Sequence, residues 1–326
     1  MIRRPPRSTL DRSSAASDVY KRQDMRGKDF LSVADLDCAE IQSLVQRAKD
    51  MKGTRATLLR DMEFVLLFEK PSLRTRVSFE VGIRQLGGNC TYLSKDDVGL
   101  EQREPAADVA RVLDRWVDGI IARVFSHESL EVVAANTSKP VVNALSDREH
   151  PCQAIGDMLT IYERKGGLKG LSLAFIGDGN NVASSLALAC ASLGVNFTLA
   201  SPTDYIISDS VFRESERRAS INGASIRLLA DPLEAVAGAD VVYTDTWVSM
   251  GDESEKSLRM KIFEKYRVDE NLFALSNSDS IFMHDMPAYR GQEISGTMID
   301  HERSVVFDQS ENRMHAQKAV LATLFS

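Results

Sequence analysis

The chain is poor in the residues that build metal centres and covalent cross-links. Its 326 residues include only four cysteines and five histidines. Cys38, Cys90, Cys152 and Cys190 are far apart and form no CxxC pair. That spacing speaks against a zinc ribbon or a disulfide framework and fits a reducing cytoplasm. Positive charge is also short: 40 Lys and Arg face 47 Asp and Glu, a net charge of −7. A broad basic face for nucleic acid is therefore not expected, and any local basic cluster must serve something small. No apolar run approaches the length of a membrane span. What remains is the composition of an ordinary globular protein, with enough chain for two domains.

Residues 1–23 differ from the rest. They are rich in Arg and Ser, nearly free of large apolar side chains, and carry Pro5-Pro6, which would break an early helix. A transit peptide shares the Arg and Ser bias, but Asp11, Asp18 and the missing apolar face oppose it. The segment resembles translated adapter sequence, and a disordered, non-native tail is the expectation. Deleting residues 1–23 should leave melting temperature and activity unchanged. A large loss of either would mark the segment as packed and native.

From residue 24 onward strands and helices alternate. Helices are expected over 35–52, 72–86, 105–116, 129–136, 151–163, 182–193, 212–222 and 311–325. Strands are expected over 64–68, 91–93, 119–123, 141–143, 171–176, 196–200, 241–244 and 281–284. This alternation predicts an α/β protein of two doubly wound parallel-sheet domains with a cleft between them. Ligands of such sheets gather at the carboxyl ends of the strands.

Five stretches at those ends carry chemistry. In FEKPSLRTRVSFE (68–80), Ser72, Arg74, Thr75 and Arg76 crowd onto a strand-to-helix turn. A helix start offers free N–H groups and partial positive charge, so this is either a phosphate site or a capped helix with surface arginines. His150-Pro151-Cys152-Gln153 precedes a helix. There the imidazole is placed to polarise a carbonyl oxygen beside the glutamine amide, or simply to cap. Arg123 ends a strand on the same side. Gly177-Asp178-Gly179-Asn180-Asn181 invites a dinucleotide reading, but Val182 stands where the third glycine belongs and no ribose-binding acid ends the next strand. A turn offering Asn181 to a polar ligand is simpler. In DVVYTDTWVSMGDE (240–253), Asp245 suits a substrate ammonium, and Ser249 with the loop amides suits a carboxylate. The alternative is a solvated acidic loop. Last come FMHDMPAYRG (282–291), with His284-Asp285 ending a strand, and SENRMHAQKA (310–319), with Arg313 expected in the first turn of the closing helix. His127, His301 and His315 have no evident partner in the sequence and read as structural or surface residues.

Taken in order, Ser-x-Arg-Thr-Arg, His-Pro-x-Gln, Asp-x-Trp-x-Ser-Met-Gly, His-x-x-Pro and Glu-Asn-Arg resemble the aspartate/ornithine carbamoyltransferase family. The Ser-Met-Gly loop, ARVFSHESLE and NALSDREHPCQAIGDMLTIYE look like its ornithine branch. The resemblance runs from about residue 28 to the end. It implies transfer of a carbamoyl group from carbamoyl phosphate to the side-chain amine of ornithine, giving citrulline, without metal or organic cofactor. It also implies a homotrimer with shared active sites. By motif, Ser72, Leu73, Arg74 and Thr75 would hold the phosphate, and Arg123, His150, Gln153 and Arg313 the rest of carbamoyl phosphate. Asn181, Asp245, Ser249 and Met250 would hold ornithine. Residues 24–150, completed by a returning helix at 305–326, would bind carbamoyl phosphate, and 151–304 the amino acid.

Two positions depart from the family. Its ornithine branch reads His-Cys-Leu-Pro where this chain has His284-Asp285-Met286-Pro287, and Gly99 stands where a glutamine is usual. Asp285 is accordingly expected beside the reacting amine, as a base weakened by a carboxyl's ordinary pKa. The competing readings are a carbamoyltransferase for putrescine or N-acylated ornithine, a non-catalytic binding protein, and a nicotinamide oxidoreductase.

Overall fold

The computed structural model describes residues 25–101, 103–248 and 253–326. The expectations for the 1–23 tail, Ser249 and Met250 fall outside these residues. The first half contains α1 (Cys38–Asp50), β1 (Glu63–Phe68), α2 (Leu73–Gln85), β2 (Asn89–Ser94) and α3 (Lys95–Val98). It continues with α4 (Ala106–Leu113), β3 (Gly119–Arg123), α5 (His127–Ala135), β4 (Val141–Leu145) and α6 (Pro151–Lys165). The second half holds β5 (Ser172–Ile176), α7 (Asn181–Leu193), β6 (Asn196–Ala200), α8 (Asp209–Asn222), β7 (Ile226–Leu229) and α9 (Pro232–Val236). It ends with β8 (Val241–Thr244), α10 (Lys256–Ile262), α11 (Glu270–Phe273), β9 (Ile281–His284) and α12 (Val306–Phe325). The strands form two parallel sheets, ordered β2-β1-β3-β4 and β7-β6-β5-β8-β9. No helix among the described residues is long and apolar enough to cross a membrane.

Alternate side chains of a strand point to opposite faces, so a strand apolar at every position must be covered on both. In β1, Phe64, Leu66 and Phe68 enter one core, while Val65 and Leu67 enter another. In β8, Val241 and Tyr243 face the core that β1 also reaches, and Val242 faces a third. That shared core runs through α6, α7 and α12 and joins the two sheets into one body.

α12 is the element that returns. It packs against α1, α2 and α6 of the first half and also touches β9. Although helical, it is buried nearly all round, and several of its polar residues find partners in both halves. Lys318 Nζ donates to Met51 O (3.1 Å), Thr54 O (2.8 Å) and Gln85 Oε1 (3.0 Å). Asn312 Nδ2 donates to Thr160 Oγ1 (3.0 Å) and Glu163 Oε2 (2.8 Å). Gln309 accepts from His284 N–H (2.9 Å).

Three expectations need correction. α12 begins at Val306, so Arg313 lies two turns inside it. Val305 and Val306 are buried and anchor this earlier start, which the polar run at 308–313 hides from periodicity. β7 and the short helices α9–α11 were not expected. β7 is the outer strand of its sheet and only partly buried, so its four residues carry no alternation. The histidines without evident partners do have them: His127 Nδ1 meets Ser146 Oγ (2.8 Å), His315 pairs with Glu311 (3.5 Å), and His301 Nδ1 accepts from Arg303 N–H (3.1 Å).

Candidate active site

The turn after β1 builds the first corner. Ser72 is extended and caps α2: its Oγ accepts from Thr75 N–H (3.3 Å) and donates to Thr75 Oγ1 (2.9 Å). Thr75 is fully buried, and its Oγ1 also receives Arg123 Nη1 (3.3 Å) and Arg313 Nη2. Two guanidiniums from distant parts of the chain thus converge on one neutral hydroxyl. Among the described residues neither has a carboxylate in salt-bridge contact, and the Nε of each has no hydrogen-bond partner. Burial and the neighbouring Arg313 push Arg123 down to about 9. Arg74 adds to the positive potential on both, and its own guanidinium makes no hydrogen bond or ion pair among the described residues. Buried like charges with unspent donors are costly unless an anion joins them. The helix start, Leu73 and these three arginines can therefore receive an anion such as phosphate, while Arg76 is an exposed surface arginine paired with Glu80 (2.8 Å).

The second corner is the start of α6. His150 occupies the cap position but its side chain caps nothing, which removes the capping alternative. Its backbone N–H donates to Ser185 Oγ (2.8 Å), and its Nε2 lies 3.1 Å from Arg313 Nη2. Arginine only donates, so Nε2 must accept and the proton must sit on Nδ1. Burial and the two arginines hold His150 far below its ordinary pKa, which keeps it neutral. The Nδ1–H is buried without a partner. Gln153 shows the same half-spent pattern. Its Nε2 donates to Asp157 Oδ1 (2.8 Å), leaving Oε1 free. Asp157 also accepts from Gln309 Nε2 (2.8 Å) and Tyr243 OH (3.1 Å), and burial raises it to about 7. One free donor and one free acceptor, on His150 and Gln153, match the C=O and NH2 of a carbamoyl group. Asp157, one helical turn from Gln153, fixes the amide's orientation. The sequence reading missed it, although the i,i+4 spacing was available.

α6 and α12 meet so closely that a Cβ added at Gly156 would lie 3.1 Å from Arg313 Cα. This contact places Arg313 in the site.

The third corner belongs to the second sheet. Gly179 is a glycine because a Cβ there would fall 2.4 Å from Ile207 N, a close backbone approach rather than a dinucleotide turn. Asn180 caps α7 through Oδ1 and donates from Nδ2 to Asp245 Oδ2 (2.7 Å). Asn181 donates from Nδ2 to Ser146 O (2.6 Å), tying α7 to the loop after β4. Its Oδ1 has no hydrogen bond among the described residues. Asp245 and Asp285 end the neighbouring strands β8 and β9. Both are buried rather than solvated, so the acidic-loop alternative does not hold for Asp245. Burial lifts Asp285 to about 6, correcting the expectation of an ordinary carboxyl, and Asp245 is raised well above the carboxylate range. Asp285 Oδ1 has no hydrogen-bond partner among the described residues.

Asp245, His284 and Asp285 bring potential metal ligands within 4.8 Å of one another. The imidazole is already engaged. His284 Nδ1 accepts from Met286 N–H (2.9 Å), and Nε2 meets Glu293 Oε1 (3.3 Å). No lone pair is left for a metal, and His284 serves to fix the chain beside Asp285. Gly99 is described but lies outside these three corners; it ends α3 in the left-handed region, with φ 58°.

Comparison with known proteins agrees with this geometry. The carbamoyl-P binding domain of the aspartate/ornithine carbamoyltransferases matches residues 28–163, and their Asp/Orn binding domain matches residues 169–324. An ornithine carbamoyltransferase of Anoxybacillus flavithermus is 48% identical over 305 residues, spanning 92% of this chain and 97% of its own. The solved structure of ornithine carbamoyltransferase from Pyrococcus furiosus superposes with a TM-score of 0.90 at 45% identity, covering 93% of this chain and 98% of that one. An acetylornithine transcarbamylase complexed with acetylcitrulline has a TM-score of 0.85 at 30% identity, covering 92% and 99%. With both domains matched and the whole fold shared, this chain belongs to the aspartate/ornithine carbamoyltransferase family.

Proposed function

We propose that the chain is an ornithine carbamoyltransferase, which moves the carbamoyl group of carbamoyl phosphate onto the side-chain amine of L-ornithine and yields L-citrulline and phosphate. The observation that carries this reading is the pairing of opposites where the two sheets meet. Guanidiniums with unspent donors line the first-sheet side, and buried carboxyls line the second. An anion and a cation belong there together.

The residues divide the work. Ser72, Leu73, Arg74 and Thr75 hold the phosphate. Arg123, His150, Gln153 and Arg313 hold the remainder of carbamoyl phosphate, with Arg123, Thr75 and the His150 Nδ1–H stabilising charge that builds on the carbonyl oxygen. Donors preset in this way contribute roughly 10²–10³ in rate each. Asn181 and Asp245 hold ornithine with Ser249 and Met250, and Asp285 lies at the reacting amine. Residues 24–150 with 305–326 form the carbamoyl phosphate domain and 151–304 the ornithine domain. The enzyme is a cytoplasmic homotrimer. Free cysteines support the compartment, and the exposed apolar side chains Leu73 and Val77 beside the phosphate turn support the assembly.

The test is an amine panel with carbamoyl phosphate, reading the ureido product. Ornithine should be preferred over N-acetylornithine and putrescine. Preference for either of the others would overturn the choice of amine, and no ureido product from any amine would favour a binding protein on this fold.

A further inference from the structure

Asp245 and Asp285 come from positions forty residues apart, yet an oxygen of each carboxyl lies within 4.8 Å of the other. Two buried carboxylates this close cannot both ionise, so the pair keeps one proton. Asp245 is held by donors on both oxygens, Asn180 Nδ2 (2.7 Å) and Thr246 N–H (2.6 Å). Asp285 keeps Oδ1 free. The charged and titratable groups around the pair are His284 on β9, Tyr243 on β8, Asp157 on α6, Arg313 on α12, Arg123 on β3 and Arg74 on α2. Burial and Asp157 favour protonation of Asp285, whereas Asp245, Arg313 and Arg74 oppose it.

We propose that Asp245 and Asp285 act as one carboxyl pair holding a single shared proton, which binds the reacting amine as an ammonium and accepts its first proton at Asp285 Oδ1. This rests on the placement of ornithine given above. The free pair carries one negative charge and so matches one ammonium. An N–H bond of the ammonium breaks, its proton moves to Asp285, and the electron pair stays on nitrogen. That pair forms the N–C bond to the carbamoyl carbon, and the C–O bond to phosphate breaks with its electrons on the phosphate oxygen. The second proton leaves nitrogen for the departing phosphate. The doubly protonated pair then returns one proton to water. Ammonium and dianionic carbamoyl phosphate thus give a neutral ureido product, hydrogen phosphate and one proton.

Asp285 titrates near 6, so kcat/KM for ornithine should descend below about pH 6 as the pair takes a second proton from solvent. Asp285→Asn keeps a hydrogen-bonding partner for Asp245 but removes the acceptor. It should lower kcat/KM for ornithine by roughly 10²–10⁴, the usual share of a positioned base. The descent near pH 6 should vanish, and calorimetric binding of carbamoyl phosphate should not change. The infrared C=O band of protonated carboxyls, to which Asp157 also contributes, should lose intensity at neutral pH, because removing the neighbouring carboxylate lowers the pKa of Asp245. Asp285→Cys restores the family residue. It should fold, turn over ornithine and lack the same descent, which a merely structural role for Asp285 would not produce. An unmoved pH profile in both variants, or a carboxyl band in D285N as intense as the parent's, would overturn the pair while leaving the ornithine site in place. Loss of carbamoyl phosphate binding in D285N would instead overturn the placement on which the pair rests.

Discussion

Arg74→Ala is expected to lower turnover by about 10²–10³-fold or more while leaving the melting temperature unchanged. The two halves of that expectation have separate causes. Arg74 lies in the first turn of α2 and adds positive potential to Arg123, Arg313 and Asp285. Removing it takes a charge from the oxygens on which the leaving group's electrons settle. Yet its guanidinium holds nothing together among the described residues, and the Ser72 cap survives the change. Stability should therefore stay put. Arg74→Lys keeps the charge and loses the two-pronged geometry that matches a phosphate, so it should recover only part of the rate. Steady-state kinetics beside thermal melts check both. Near-normal turnover in the alanine variant would remove Arg74 from the phosphate cradle.

Gly156→Val should damage the enzyme from outside the site. The added Cβ would meet Arg313 Cα at 3.1 Å and Arg313 N at 3.3 Å, and these are backbone atoms with no rotamer to change. Valine's two further methyls make the conflict worse, so α12 must move. Overpacking of this kind costs roughly 1–3 kcal/mol. The kinetic loss should be larger in proportion. A displacement of about 1 Å at positioned groups can cost 10²-fold, and Arg313 contacts both Thr75 and His150. The expected result is a lowered melting temperature together with weaker carbamoyl phosphate binding. An unchanged affinity for carbamoyl phosphate would show that the α6–α12 contact does not set the position of Arg313.

Much of the fold could be read from residues alone because its strands are buried on both faces. Runs such as 64–68 and 119–122 are apolar at every position, and each leads into a helix signal. β7 escaped because an outer strand needs no such run. Its neighbour on one side is β6, and its exposed Arg227 looks like loop. Of the site, the anion corner was legible locally, since cap, donors and strand end are adjacent in sequence. The convergence on Thr75 was not. Its partners lie 48 and 238 residues away, and only the folded chain brings them together. The same holds for Asp157, whose role depends on Gln309 and Tyr243. The raised pKa of Asp285 depends on burial, which composition cannot report.

α12 has a consequence for how the molecule is made. A ribosome delivers the first sheet, then the second, and α12 only after both. Until that helix appears, α1, α2 and α6 lack the surface they close upon, Lys318 has not tied down the 51–54 turn, and Thr75 has one guanidinium instead of two. Folding domain by domain during synthesis would thus stop short for the half that emerges first. The half that matches the carbamoyl-P binding domain is translated before the other and among the last parts to be finished, so a stalled or shortened chain would expose an unfinished core rather than a working half-enzyme.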